Sequence, residues 1–382
     1  MHFPIYLDYM ATTPVDPRVK EVMDQYLTMD GIFGNPSSSS HQYGWQAKEA
    51  VEKARAQVAD LINAEPAEIL WTSCATEASN LAIKGACCCY QRKGKHIITL
   101  ATEHKSVLNT CKAMRQHGFE VTILTPEQDG ILDLKKLEDA LRDDTILVSI
   151  MAVNNEIGVI QDIEAIGKLL KPKGIIFHVD AVQAAGKIDI DVRKLPVDFM
   201  SFSAHKVYGP KGVGCLFINH HPRIHCETQM HGGGHEFGLR SGTLPVHQIA
   251  AMGEAFAIAK AEMVEKNQRI TKMRDYLWGE LSKIPGIQLN GHPEKRVPHN
   301  LNMSFANIRS DNLVKALENL AISTSSACVS AGREPSYVLK ALGLPDNLAF
   351  SSIRLSIGNY TTQEHIEYAA NYIKQAIESL RD

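Results

Sequence analysis

Phe199-Met200-Ser201-Phe202-Ser203-Ala204-His205-Lys206-Val207-Tyr208-Gly209-Pro210-Lys211-Gly212 runs a short apolar stretch into a lysine and a Gly-Pro-Lys-Gly turn. Phe199–Phe202 reads as a strand buried on both faces. A lysine just beyond it stands at a strand's C-terminal edge, where open α/β sheets bind their ligands. Upstream lie further short runs, Ile97–Leu100, Val121–Leu124, Ile146–Val153 and Ile175–Val179, and downstream lies Cys215–Ile218. Helical spacing fills several of the gaps, over Leu134–Leu141 and Ile163–Leu170, and earlier between Gly44 and Asn63. Strands alternating with helices predict an α/β sheet of largely parallel strands.

Beyond about residue 220 the strand signals stop, and a helical stretch from His247 to Ile284 follows, closed by Pro285-Gly286. Val297–Phe305, Ala321–Ser325 and Ser352–Ser356 read as strands of a smaller α+β region. With 382 residues, the chain is longer than one hydrophobic core usually serves. The expected division is a large α/β domain over 15–260, and a small α+β domain made of 1–14 and 261–382. The small domain carries a loop at 323–336.

A net charge of −3 gives no basic field for nucleic acid or an anionic membrane. No apolar run has the length of a membrane span, and the first residues lack the pattern of a signal peptide. These features leave the cytoplasm as the expected compartment, where eight cysteines are expected to remain thiols. Cys87-Cys88-Cys89 invites a metal reading, but adjacent side chains on a helix diverge, and no metal site is expected there.

Four further strand ends carry polar groups. Asp180, in Phe177-His178-Val179-Asp180-Ala181-Val182-Gln183, is a carboxylate that needs a cation or a helix to cap. Thr72-Ser73-Cys74-Ala75-Thr76-Glu77 places small residues at a helix start, suited to a phosphate or to plain capping. Thr102-Glu103-His104-Lys105 and Asn154-Asn155-Glu156-Ile157-Gly158 offer an imidazole and an uncharged amide. Taken alone, Lys206 reads more readily as a solvated lysine beside a strand.

In this order the motifs resemble the cysteine desulfurases of the IscS/NifS type, related to the class-V aminotransferases. The resemblance runs from Tyr6-Leu7-Asp8 to Ser351-Ser352-Ile353-Arg354. It implies a fold type I transferase dependent on pyridoxal 5'-phosphate, acting on L-cysteine as a homodimer. By motif, Lys206 is the Schiff-base lysine, Asp180 the partner of the pyridinium nitrogen, and Gln183 the partner of the phenolic oxygen. His104 stacks on the ring and moves protons. Ala75, Thr76, Ser203 and His205 hold the phosphate, and Thr243, in Arg240-Ser241-Gly242-Thr243, reaches the phosphate of the other subunit's cofactor. Asn155 and Arg354 hold the substrate carboxylate. Cys328, in Ser325-Ser326-Ala327-Cys328, takes the sulfur as a persulfide. That sulfur serves iron–sulfur cluster assembly on a scaffold protein and other acceptors such as tRNA thiolation, and Cys328 can ligate a transient cluster with the scaffold. A selenocysteine lyase or a small-substrate aminotransferase would share Lys206 and Asp180. Cys74 stands where such desulfurases usually have glycine. The chain stops at Asp382, short of the tail with which they help dock the scaffold, so the acceptor stays open.

Overall fold

The computed structural model describes residues 1–308, 310–324 and 334–381. Its large sheet contains β1 (Ile69–Thr72), β2 (His96–Leu100), β3 (Glu120–Leu124), β4 (Thr145–Ser149), β5 (Ile176–Asp180), β6 (Phe199–Ser203) and β7 (Gly214–Ile218). Across the sheet the order is β1-β7-β6-β5-β4-β2-β3. The neighbours from β6 to β3 pair in parallel, whereas β7 pairs antiparallel with both β6 and β1. Only β7 is therefore reversed, in agreement with the mostly parallel sheet expected. Because the other six strands share a direction, their C-terminal ends lie along one edge. Asp180 and Ser203 end β5 and β6 there, and the segments carrying Ala75, His104 and Asn155 leave β1, β2 and β4 at the same edge.

Both faces of this sheet are covered, which explains why its strands read as nearly continuous apolar runs. Val148, Phe177, Met200 and Phe202 face one core, while Ile97, Leu147, Ile176 and Phe199 face another. A separate core gathers Ile5 and Leu7 with Met303, Phe305, Ile353, Leu355, Ile366 and Ile373. The helix Val246–Leu281 joins them, giving Ile249, Met252 and Phe256 to the large domain's core and Ile270, Met273 and Leu277 to the small one. We propose the division at 15–260, with 1–14 and 261–382 as the small unit, on the strength of these separate cores.

Two expected strands come out shorter. The run from Val297 becomes a strand only over Asn300–Phe305. Pro298 lacks a donor for the ladder, and the Val297 amide is bonded to the Gly158 carbonyl at 2.9 Å. The run from Ala321 is divided: Leu320–Ala321 pairs in parallel with Ile5–Tyr6, and Ser323–Thr324 joins the sheet of Ser352–Ser356. On the helix Ala75–Tyr90, Cys87 is buried and Cys88 exposed, as their divergent directions require. Among the described residues, no group of three or more His, Cys, Asp or Glu side chains is arranged to hold a metal ion.

Candidate active site

A cavity of about 290 Å³ opens at the shared strand edge, lined by Ala75, Thr76, His104, Asn155, Asp180, Gln183, Ser203, His205, Lys206 and Arg354. These residues come from segments scattered over 280 positions of the chain, and the sheet brings them to one place. Thr243 does not line it and is exposed.

Lys206 follows β6 in a short 3-10 turn, Ala204–Lys206. Its Nζ donates to the carbonyls of Met10 at 2.7 Å and Ala11 at 2.6 Å. Burial, with Arg354 nearby, lowers its pKa to about 8, so a useful fraction of neutral amine exists near neutrality. Asp180 is 5% exposed and accepts from the Val182 amide at 3.0 Å. Burial raises its pKa, while His104 and Lys206 pull the other way. A cation brought into the cavity would favour the charged carboxylate.

His104 caps the helix Lys105–Met114, its Nδ1 accepting from the Ser106 amide at 3.1 Å. Its ring opens onto the cavity, and desolvation by the surrounding protein lowers its pKa, against the pull of Asp180. Gln183 donates from Nε2 to the Met10 carbonyl at 2.9 Å. His205 contacts Thr12 Oγ1 through Nδ1 at 3.1 Å, and burial lowers its pKa to about 4. Arg354 donates through Nη1 to the Asn155 carbonyl at 2.6 Å, and through Nη2 to Asp8 and Ser323.

Five polar features test whether pyridoxal phosphate fits. Three residues lining this cavity carry a buried polar atom without a protein partner, Gln183 Oε1, Asn155 Oδ1 and Arg354 Nε, although such atoms are normally satisfied. Asp180 supplies the carboxylate for a ring cation, and the start of the helix Ala75–Tyr90 supplies free amides for a phosphate. Donors, acceptors and charge match a phosphorylated aromatic cation carrying an aldehyde. The residues fit the cofactor.

A second, larger cavity of about 960 Å³ continues outward, lined by His104, Asn155, Ser323, Thr324, Glu334, Ser336, Tyr337 and Arg354. Cys328 lies outside the described residues. The described residues on either side, Thr324 and Glu334, both line this outer cavity. Sequence reasoning missed the Met10 and Ala11 carbonyls, Asp8 and Ser323. Nothing local marks them, because each acts on a residue almost 200 positions or more away, or, for Ser323, 31 positions away.

The fold and the cavity at its strand edge are those of a transferase binding pyridoxal phosphate. The chain belongs to the aminotransferase class-V family, whose model matches residues 5–369. It is similar to the cysteine desulfurase IscS of Vibrio vulnificus strain CMCP6, 60% identical over 382 residues, which cover all of this chain and 95% of that one. The cysteine desulfurase IscS of Escherichia coli strain K12 / DH10B is 59% identical over the same span, covering 100% of this chain and 95% of its own. A solved NifS-like protein superposes with a TM-score of 0.90 at 38% identity, covering 99% of each chain.

Proposed function

We infer that the protein is a pyridoxal-phosphate-dependent cysteine desulfurase, converting L-cysteine to L-alanine and passing the sulfur to an acceptor. The observation that carries this reading is the convergence of Lys206, Asp180, Gln183 and Arg354 on one cavity, in a chain 60% identical to a cysteine desulfurase throughout its length.

When bound, pyridoxal phosphate supplies an aldehyde that captures amines and a protonated ring that withdraws electrons from the substrate's Cα. Lys206 is the residue we assign to hold it covalently, and its Nζ would serve as the base that accepts the substrate's Cα proton. Asp180 would keep the ring nitrogen protonated, Gln183 would meet the phenolic oxygen, and His104 would stack on the ring and move protons. The amides at Ala75 and Thr76, with Ser203 and His205, hold the phosphate. The exposed Thr243 is assigned to the cofactor of a second subunit, which makes the working unit a homodimer.

Arg354 and Asn155 orient the substrate carboxylate. Cys328 thiolate attacks the substrate sulfur. A new S–S bond forms as Cβ–S breaks, its electron pair stays on carbon, and protonation of Cβ together with return of the proton to Cα gives alanine. The persulfide is assigned to an iron–sulfur scaffold and to tRNA thiolation in the cytoplasm. No helix among the described residues is long and apolar enough to cross a membrane.

Borohydride trapping followed by peptide mapping tests the assignment of Lys206, and a label elsewhere refutes it. Cys328→Ser tests the reaction: persulfide production from cysteine must stop, and its survival would assign the chemistry to another group.

A further inference from the structure

The turn that presents Lys206 is held from behind by a second lysine. Lys187 Nζ donates to the main-chain carbonyl of Lys206 at 2.9 Å. Among the described residues, its ammonium pairs with no carboxylate. The chain reaches this point through Gly186, at φ +67°, whose position leaves a built Cβ 3.0 Å from Val207 Cγ1. The Lys187 carbonyl is in turn fixed by Asn267 Nδ2 at 2.8 Å. Asn267 lies on the long helix between Phe256, in the large domain's core, and Ile270, in the small one.

Lys187, Lys206, Val207, Tyr208, Asn267 and His299 share the wall of a small cavity of about 50 Å³. His299 is 4% exposed and neither ring nitrogen has a protein partner. An ammonium in such surroundings is costly, and burial together with the Lys206 charge lowers its pKa to about 7. Asp16, at another part of the same wall, is already paired with Arg18. An apolar side chain of similar volume would fill the space without that cost. The contact that distinguishes lysine here is the one to the Lys206 carbonyl.

We propose that Lys187 is a positioning residue for the reaction, clamping the Lys206 carbonyl so that the turn holds Nζ in line with the cofactor pocket. The proposal rests on the reading of Lys206 as the cofactor lysine. On the opposite side, the Met10 and Ala11 carbonyls receive Nζ itself. Lys206 is thus gripped at its main chain and at its amine, and small errors in placing a reacting group carry large losses in rate.

The test compares parent and Lys187→Met holoenzymes, with cofactor content measured in each. In Lys187→Met, kcat per bound cofactor is expected to fall at least about tenfold, with KM for L-cysteine within about twofold. Covalent capture of pyridoxal phosphate by the apo-protein, followed by absorbance, should slow by a similar factor. A structural role alone would lower the melting temperature and the cofactor content. It would leave kcat per bound cofactor within about twofold of the parent, and that result overturns the proposal. If Lys187→Met does not fold, Lys187→Gln decides. Its side chain is one atom shorter and loses the 2.9 Å contact, so a parent-like kcat there overturns the proposal equally. Borohydride labelling of the parent separates the two readings: a label that misses Lys206 overturns both. Parent-like kinetics with the label on Lys206 overturns only this one.

Discussion

Asp8 Oδ1 lies 2.7 Å from Arg354 Nη2, and Ser323 Oγ closes the triangle, donating to Asp8 at 2.8 Å and accepting from Arg354 at 2.7 Å. The guanidinium assigned to the substrate carboxylate is therefore aimed by a residue near the N-terminus. Its Nε remains without a protein partner. Replacing Asp8 by Asn keeps an oxygen that can accept from Arg354 but removes the charge that strengthens the bond, a loss of about 1 kcal/mol. KM for L-cysteine should rise about three- to tenfold with a smaller change in kcat. Steady-state kinetics checks this, and an unchanged KM refutes it.

Arg354→Lys tests the geometry of the same contact. Lysine keeps the charge but loses the fork that matches a carboxylate. The expected outcome is an increase in KM of about tenfold or more. The absorbance change on titrating with L-alanine, the product, should show the same loss of affinity.

Lys206 gives the site its pH dependence. Only the neutral amine attacks an aldehyde, and burial places its pKa at about 8 instead of the usual 10.5. The rate at which the apo-enzyme captures pyridoxal phosphate should rise with pH and level off above about 8. A rate still climbing steeply at pH 10 would show that the amine is not desolvated. Lys206→Ala removes covalent attachment and should lower turnover by about 10²–10⁴-fold.

Much of this arrangement was legible before the structure. The sheet could be read because strands buried on both faces carry apolar runs, and the site because polar groups follow those runs at one edge. Asp180, Ser203 and Lys206 stand within a few residues of such a strand end, so local pattern locates them. Asp8, Ser323 and the carbonyls of Met10 and Ala11 give no such signal, since their roles exist only once the small domain packs against the sheet. The reversed direction of β7 was equally silent. A buried antiparallel strand such as Gly214–Ile218 carries the same composition as its parallel neighbours.

A buried ion pair carries part of the stability outside the site. Arg55 and Glu236 meet at 2.8 Å with side chains only 4% and 2% exposed, and Glu236 also accepts from the Trp71 amide at 2.7 Å. Glu236→Ala removes the buried partner of Arg55, leaving it only the half-exposed carboxylate of Glu52 at 3.2 Å, and should cost up to about 3–5 kcal/mol in chemical denaturation. Because much of the cost is the lost buried counter-charge of Arg55, Arg55→Met combined with Glu236→Ala should recover part of it.

In the proposed reaction, Cys328 is what makes sulfur, and not merely an amino group, the group transferred. The most direct measurement is mass spectrometry of the purified holoenzyme after a short exposure to L-cysteine, with the peptide containing Cys328 examined for the mass of one added sulfur. That sulfur should appear on Cys328, together with one alanine for each persulfide formed. Alanine formed with no sulfur on Cys328, or with sulfur on another cysteine such as Cys74, would contradict the assignment.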